Sequence, residues 1–226
     1  MRIGIIIFPG SNCDKDVYYV LKDIMHLDVS LIWHTKEDLK GYDAIILPGG
    51  FAYGDRLRAG VIAAFSPVMR SIKMLAMDKV PILGVCNGFQ ILVEAGLLPG
   101  ALIKNQSLKF VCRWCNIIVE NNKTPFTHGL KLKQELRIPV ANQEGRYYAD
   151  NIKDMIKRGQ IVFRYKDNPT GALDDIAGVC NEDYNVVGMM PHPERASSCI
   201  LSPFNSDDGL LIFKSLLSYL EMRRWV

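Results

Sequence analysis

Residues Gly84-Val85-Cys86-Asn87-Gly88 have the form G-x-C-x-G, with a thiol set between two glycines where one apolar run ends and another begins. Small neighbours permit a sharp strand-to-helix turn that lifts the central side chain above the sheet edge, as the nucleophile elbow of α/β hydrolases does for serine. At such a turn the free N–H groups and positive dipole end of the helix favour a thiolate, which makes Cys86 a candidate nucleophile. The alternative is a small buried hydrophobe, the commonest state of a free cysteine. Partner residues decide between the two.

The chain has four histidines. His26 and His34 fall in the first helix-to-strand region and read as surface or edge residues, and His128 precedes a glycine in a turn. His192 differs, because it stands in "MMPHPER" between two prolines, directly after an apolar run. A residue before proline is pushed toward extended conformations. Residues two apart in an extended segment share a face, which would set His192 beside Glu194. Cys86, His192 and Glu194 then form a nucleophile, a base and the carboxylate that orients it.

Acyl transfer also needs donors for a developing oxyanion. The Asn87 N–H, next after the nucleophile, is one candidate. The loop "LPGGF" (47–51) offers the other, since Gly49 and Gly50 let backbone N–H groups approach closely; Gly49 is also a candidate for the substrate pocket. Gln90 has two readings: the far member of a capping box with Asn87, or a pocket residue that holds a polar substrate. Either role keeps it near Cys86.

Other chemistry fails on spacing. Gly49 and Gly54 have phosphate-loop spacing, but Asp55 and Arg56 follow where Lys and Ser or Thr are required. No G-x-G-x-x-G follows the first apolar run. Cys112 and Cys115 are three apart, so on a strand they face opposite ways, and no second C-x-x-C completes a ligand set. No metal site is expected.

The elements that must position these residues can be read from the apolar pattern. Ile3–Phe8 is a first strand closed by "PGSN", followed by helical spacing over 14–25, a strand at Val29–Trp33 and another in "YDAIILPGG". Helical periodicity over 60–78 leads to a short buried strand at Pro81–Val85 and a helix at Phe89–Ala95 stopped by Gly96. Cys86 thus falls at the strand-to-helix junction. The second half offers strand candidates in "KFVCRWCNIIVE", "LRIPVAN", "GQIVFRYKD" and "DIAGVCN…NVVGMMPH", with a hairpin turn at "DYN", a short helix at 152–158 and a closing helix at 209–222. Runs apolar on both faces suit a parallel sheet covered by helices. The expected fold is α/β: an open, mostly parallel sheet, mixed at one edge and flanked by helices, in one domain over 1–226.

Composition reads as that of a soluble globular protein. At 226 residues, 49% hydrophobic and 23% charged, the chain can bury a large core, and no apolar run approaches the ~20 residues of a membrane span. The net charge of +3 is scattered, which gives no nucleic-acid footprint. The opening run is punctuated by Gly4 and Pro9-Gly10 and lacks a cleavage site, so it reads as a strand rather than a signal peptide. A cytoplasmic location with six reduced cysteines is expected.

"GVCNGFQ", the distal "PHPE" and the upstream "PGG" together resemble the class I, triad-type glutamine amidotransferases, with their flavodoxin-like fold. "FPGSNCDKD", "LPGGFAYGDRLRAG", "GVCNGFQILVEAGLLPGAL" and "GMMPHPER" are similar, more narrowly, to the glutaminase subunits of phosphoribosylformylglycinamidine synthases. The likeness runs from the first strand to Arg195. It implies that Cys86 attacks the carboxamide of glutamine, that His192 protonates the departing ammonia, that Glu194 orients His192, and that Gly50 and Asn87 hold the oxyanion. It further implies ammonia delivery to a large synthetase subunit that uses ATP and magnesium, with a small third subunit in bacterial and archaeal complexes and no cofactor in this subunit. The chain departs from the family pattern at Asn142, where a histidine is usual, and at Asp183-Tyr184, where a glycine usually shapes the hairpin. A cysteine hydrolase or redox sensor with an elbow thiol, and a non-catalytic scaffold of a synthetase, are the competing readings. The first would not require the late "PHPE", and the second would have shed a triad residue.

Overall fold

A computed structural model describes residues 1–223. The first half alternates as its apolar runs require: β1 (Arg2–Ile7), α1 (Asp14–Tyr19), β2 (Asp28–Trp33), β3 (Ala44–Leu47), α2 (Val68–Met77), β4 (Ile82–Val85) and α3 (Asn87–Glu94). All four residues of β3 and all four of β4 are buried, as expected of strands covered on both faces. The second half adds β5 (Ala101–Ile103), β6 (Val111–Val119), β7 (Glu135–Asn142), β8 (Arg146–Tyr148), α4 (Ile152–Lys157), β9 (Ile161–Tyr165), β10 (Ile176–Cys180), β11 (Val186–Met189) and α5 (Leu210–Arg223).

Nine strands form one sheet in the order β2-β1-β3-β4-β11-β10-β9-β6-β7. The pairings β1–β2, β1–β3, β3–β4 and β4–β11 are parallel. The mixed edge is a wing in which β10, β9, β6 and β7 follow β11 in antiparallel pairings. Because β3, β4 and β11 are parallel neighbours, the loops after them leave the sheet on one edge. That edge is where ligands bind in open α/β sheets.

Several elements differ in extent from their sequence patterns. The helical periodicity over 60–78 is broken: a single turn at Ala63–Phe65 ends in Ser66, whose ψ of 148° is extended, and α2 begins only after Pro67. Ser66 precedes a proline, which excludes the helical region for it, so the two helical pieces cannot join. The pattern over 14–25 is α-helical to Tyr19 and then widens into a π-type turn at Val20–Ile24. Gly96 ends α3 with φ +73°, and the hairpin between β10 and β11 turns through Tyr184 at φ +62°, the position a glycine would suit. The two-stranded β5–β8 ladder was not foreshadowed by any apolar alternation. Among the described residues no helix is long and apolar enough to cross a membrane.

Candidate active site

Cys86 sits at the junction expected for it, one residue after β4 and at the N-cap of α3, with φ 50° and ψ −104°. That conformation is costly for a side chain with a Cβ and persists only where the surroundings fix it. They do so on both sides. A Cβ on Gly84 would lie 2.7 Å from the Gly88 backbone, and one on Gly88 would lie 1.9 Å from the Leu47 carbonyl oxygen. The Cys86 N–H also donates to the Met189 carbonyl at 2.8 Å, tying the elbow to β11.

β11 delivers the base. The His192 N–H donates to the Pro139 carbonyl (2.8 Å), and its Nδ1 lies 2.6 Å from Glu194 Oε1. His192 is 2% exposed and Glu194 1%. The expected pairing is present, but its geometry is not that of a continuous extended segment: only His192 is extended, and Pro193 opens a 3-10 turn (Pro193–Ala196) that swings Glu194 back to the ring. Burial alone would hold the imidazole uncharged. The neighbouring Glu194, Cys86 and Cys13 outweigh it and raise the His192 pKa well above its ordinary value. The imidazolium so favoured stands beside Cys86. Nε2 of His192 and Oε2 of Glu194 have no hydrogen-bond partner among the described residues.

One contributor was not legible in the sequence. Cys13 is buried in front of α1 and accepts a hydrogen bond from Arg195 Nη2 at 3.0 Å. Its sulfur and the ligand atoms of His192 and Glu194 lie within 4.8 Å of one another. This is a metal-like cluster, but the Arg195 guanidinium on the sulfur opposes a bound cation. Cys112 is exposed and Cys115 buried, on opposite faces of β6 as their spacing requires, and burial pushes the Cys115 thiol up to about 12. The remaining histidines lie apart from the site: His34 bonds the Tyr53 hydroxyl (3.1 Å), and His128 packs its ring edge on Tyr219.

The glycine loop after β3 meets the loop after β1. Gly50, at φ +149°, leaves no room for a side chain, since a Cβ would lie 2.7 Å from the Asn12 nitrogen. It lines a cleft of about 330 Å³ together with Cys86 and Gln90. Gly49 is placed differently from its sequence reading: its carbonyl accepts from the Asn12 and Cys13 N–H groups, and a Cβ there would lie 2.7 Å from His192 Cε1. It makes room for the His192 ring.

Asn87 and Gln90 do not form a capping box. The cap position is Cys86 and carries no side-chain cap bond. Instead Asn87 Oδ1 accepts from the Ala52 N–H (3.0 Å), and its Nδ2 donates to Gln90 Oε1 (2.9 Å) and Asp55 Oδ1 (3.3 Å). Gln90 Nε2 donates to the Glu144 carbonyl at 2.7 Å. The Asn87 side chain thus bolts the glycine loop to α3, and Gln90 bolts α3 to the loop after β7.

An elbow thiol, a buried imidazole–carboxylate pair and a glycine loop on one cleft are equipped for acyl transfer to sulfur. Three comparisons agree with that geometry. The model of the CobB/CobQ-like glutamine amidotransferase domain matches residues 1–226. The phosphoribosylformylglycinamidine synthase subunit PurQ of Alkaliphilus metalliredigens is 51% identical over 223 residues, which cover 98% of this chain and 97% of that protein. The solved structure of PurLQS from Thermotoga maritima contains a chain 44% identical to this one, with a TM-score of 0.90 and coverage of 97% and 98%. At 14% identity and a TM-score of 0.61, over 98% of this chain and 94% of the other, the glutaminase domain of Trypanosoma brucei CTPS with bound acivicin shares the fold. By its sequence from end to end, this chain belongs to the CobB/CobQ-like glutamine amidotransferase family.

Proposed function

We propose that this chain, acting as one domain, is the glutaminase subunit of a phosphoribosylformylglycinamidine synthase. The observation that carries the reading is the buried His192–Glu194 pair beside a cysteine held at φ 50° on an elbow. The Cys86 thiolate adds to the carboxamide carbon of glutamine, and the N–H groups of Gly50 and Asn87 receive the developing oxyanion. The His192 imidazolium gives its proton to the leaving nitrogen as the C–N bond breaks, releasing ammonia and leaving a γ-glutamyl thioester on Cys86. Neutral His192 then takes a proton from water, whose oxygen attacks the thioester; glutamate leaves and the thiolate–imidazolium pair returns. Glu194 holds Nδ1 so that Nε2 faces the chemistry.

None of these steps uses a cofactor, and ATP and magnesium are assigned to the partner synthetase. The PurQ name and the PurLQS complex support that large partner, together with a small third subunit; there formylglycinamide ribonucleotide would accept the ammonia in purine biosynthesis. Six free cysteines fit a reducing cytoplasm. The test is glutamate release from glutamine with the cognate synthetase, ATP and formylglycinamide ribonucleotide, for the wild type and Cys86→Ser. Release by the wild type and its loss in the variant are expected. Absence of release from the complete wild-type mixture would overturn the reading.

A further inference from the structure

The antiparallel wing carries a groove over β6 and β7 that the acyl-transfer steps do not use. Its larger part, about 360 Å³, holds Arg113 and Trp114, and its smaller part, about 250 Å³, holds Asp208; Asn116, Arg137 and Phe204 line both. The register makes Asn116 and Arg137 direct partners across the two strands, so their side chains rise on one face. Arg113 reaches the groove where β6 has lost its other neighbour, since β9 pairs with β6 only over Ile117–Val119. There Arg113 Nη2 donates to the Asp167 carbonyl at 3.2 Å.

The larger part is built from donors. Arg137 Nε donates to Asn116 Oδ1 (3.1 Å), and its guanidinium lies over the Phe204 ring, 4.0 Å from the centroid. The fork is thereby held while its two Nη groups, and Asn116 Nδ2, have no acceptor among the described residues. Neither Arg113 nor Arg137 has an ion-pair partner among the described residues, and the wall sets these two cations against the single carboxylate of Asp167. Two guanidiniums with free N–H groups on one wall match the oxygens of a phosphate.

The rest of the groove asks for different chemistry. Asp208 Oδ2 accepts from the Arg137 N–H at 2.7 Å, which leaves Oδ1 without a donor among the described residues. A carboxylate oxygen so placed takes a sugar hydroxyl, as acidic residues do in nucleotide sites. Phe204 is 49% exposed although Arg137 covers one side of its ring and Trp114 meets its edge, 5.7 Å between centroids. A large ring held in place yet open to water is a platform for a flat, aromatic group.

We propose that this groove is a binding site for a ribonucleoside 5′-monophosphate, with the phosphate between Arg113 and Arg137, the ribose hydroxyls toward Asp208 and the base against Phe204. The site is separate from the glutaminase centre and does not rest on the glutaminase reading.

The experiment is calorimetric titration of the full chain with adenosine 5′-monophosphate, ribose 5-phosphate, adenosine and inorganic phosphate, run beside intrinsic tryptophan fluorescence. The nucleotide should bind with single-site stoichiometry and about tenfold or more tightly than each of the other three, because only it engages all parts of the groove. Arg113→Ala, at an exposed position, and Arg137→Met, which keeps the apolar stem over Phe204, should each weaken its binding by about tenfold or more. Raised salt should weaken it as well. Binding should change the fluorescence of the wild type, a change lost in Trp114→Phe although calorimetry still finds the nucleotide. Far-UV circular dichroism checks the fold of each variant. No binding by the wild type, affinity for the nucleotide no greater than for adenosine or ribose 5-phosphate, or affinity untouched in both arginine variants would overturn the proposal.

Discussion

Gly49→Ala tests the packing that places the base. The substitution adds one methyl group at a position whose φ lies outside the left-handed region, so it carries no backbone penalty of its own. The new Cβ would lie 2.7 Å from His192 Cε1 and 3.2 Å from Cys13 Sγ, where ordinary contact begins at 3.4 Å. The imidazole must therefore retreat by 3.4 − 2.7 = 0.7 Å, or the loop after β3 must yield. A misplacement of ~1 Å at a reacting group costs on the order of 100-fold. A shift of 0.7 Å then corresponds to a loss of roughly 10- to 100-fold in kcat/KM, or about 1.4–2.7 kcal/mol of transition-state stabilisation. Overpacking of this size also costs about 1–3 kcal/mol of stability, a measurable drop in thermal midpoint without loss of the fold. The assay is steady-state glutamate release in the complete complex, run beside thermal unfolding and far-UV circular dichroism. A folded Gly49→Ala protein with wild-type kcat/KM would refute the reasoning, because the contact that forces His192 aside would then have no effect on catalysis.

Two further outcomes follow from the charges. Glu194→Gln keeps the shape of the buried partner but removes the charge that favours the imidazolium, and it lets the ring take the wrong tautomer; kcat for glutamate release should fall by about 10²–10⁴. Asp55 has a folded pKa of about 6 against an ordinary value of 3.8. Its ionisation is therefore penalised in the folded state, a penalty absent below the unfolded pKa and complete above the folded one. Asp55→Asn should raise the thermal midpoint at pH 7 and above, and the gain should shrink as pH falls from 6 toward 4; a gain independent of pH would show that burial of the carboxylate is not its source.

The residues that were legible in the sequence are those whose meaning is local. The Gly84–Gly88 spacing fixes a tight turn because each glycine removes one collision with backbone, and both collisions are real. Pro191 and Pro193 bracket His192 strongly enough to give away its pairing with Glu194, even though the turn that accomplishes it is a 3-10 turn. Long-range chemistry left no such mark. Cys13 reaches Arg195 across 182 positions, and nothing in "SNCD" signals an imidazole above it. Asp55 and Glu144 meet from two irregular loops, where no periodicity operates. Helical spacing over 60–78 also misled, since the apolar pattern carries through Ser66-Pro67 while the backbone cannot. Three-residue strands such as β5 and β8 are too short for alternation to declare itself.

The strand order has a consequence for how the enzyme comes into being. β4, which carries Cys86, is flanked by β3 on one side and β11 on the other. β3 precedes it by some tens of residues, but β11 begins at Val186, about a hundred residues later. During synthesis one edge of β4 stays unpaired until most of the chain has been made, and a pairing of such long sequence separation is slow to close. The same late strand brings His192 and Glu194. A nascent or truncated chain thus holds its cysteine without the base that would sharpen it, and the thiol acquires its reactivity only when the middle of the sheet is sealed.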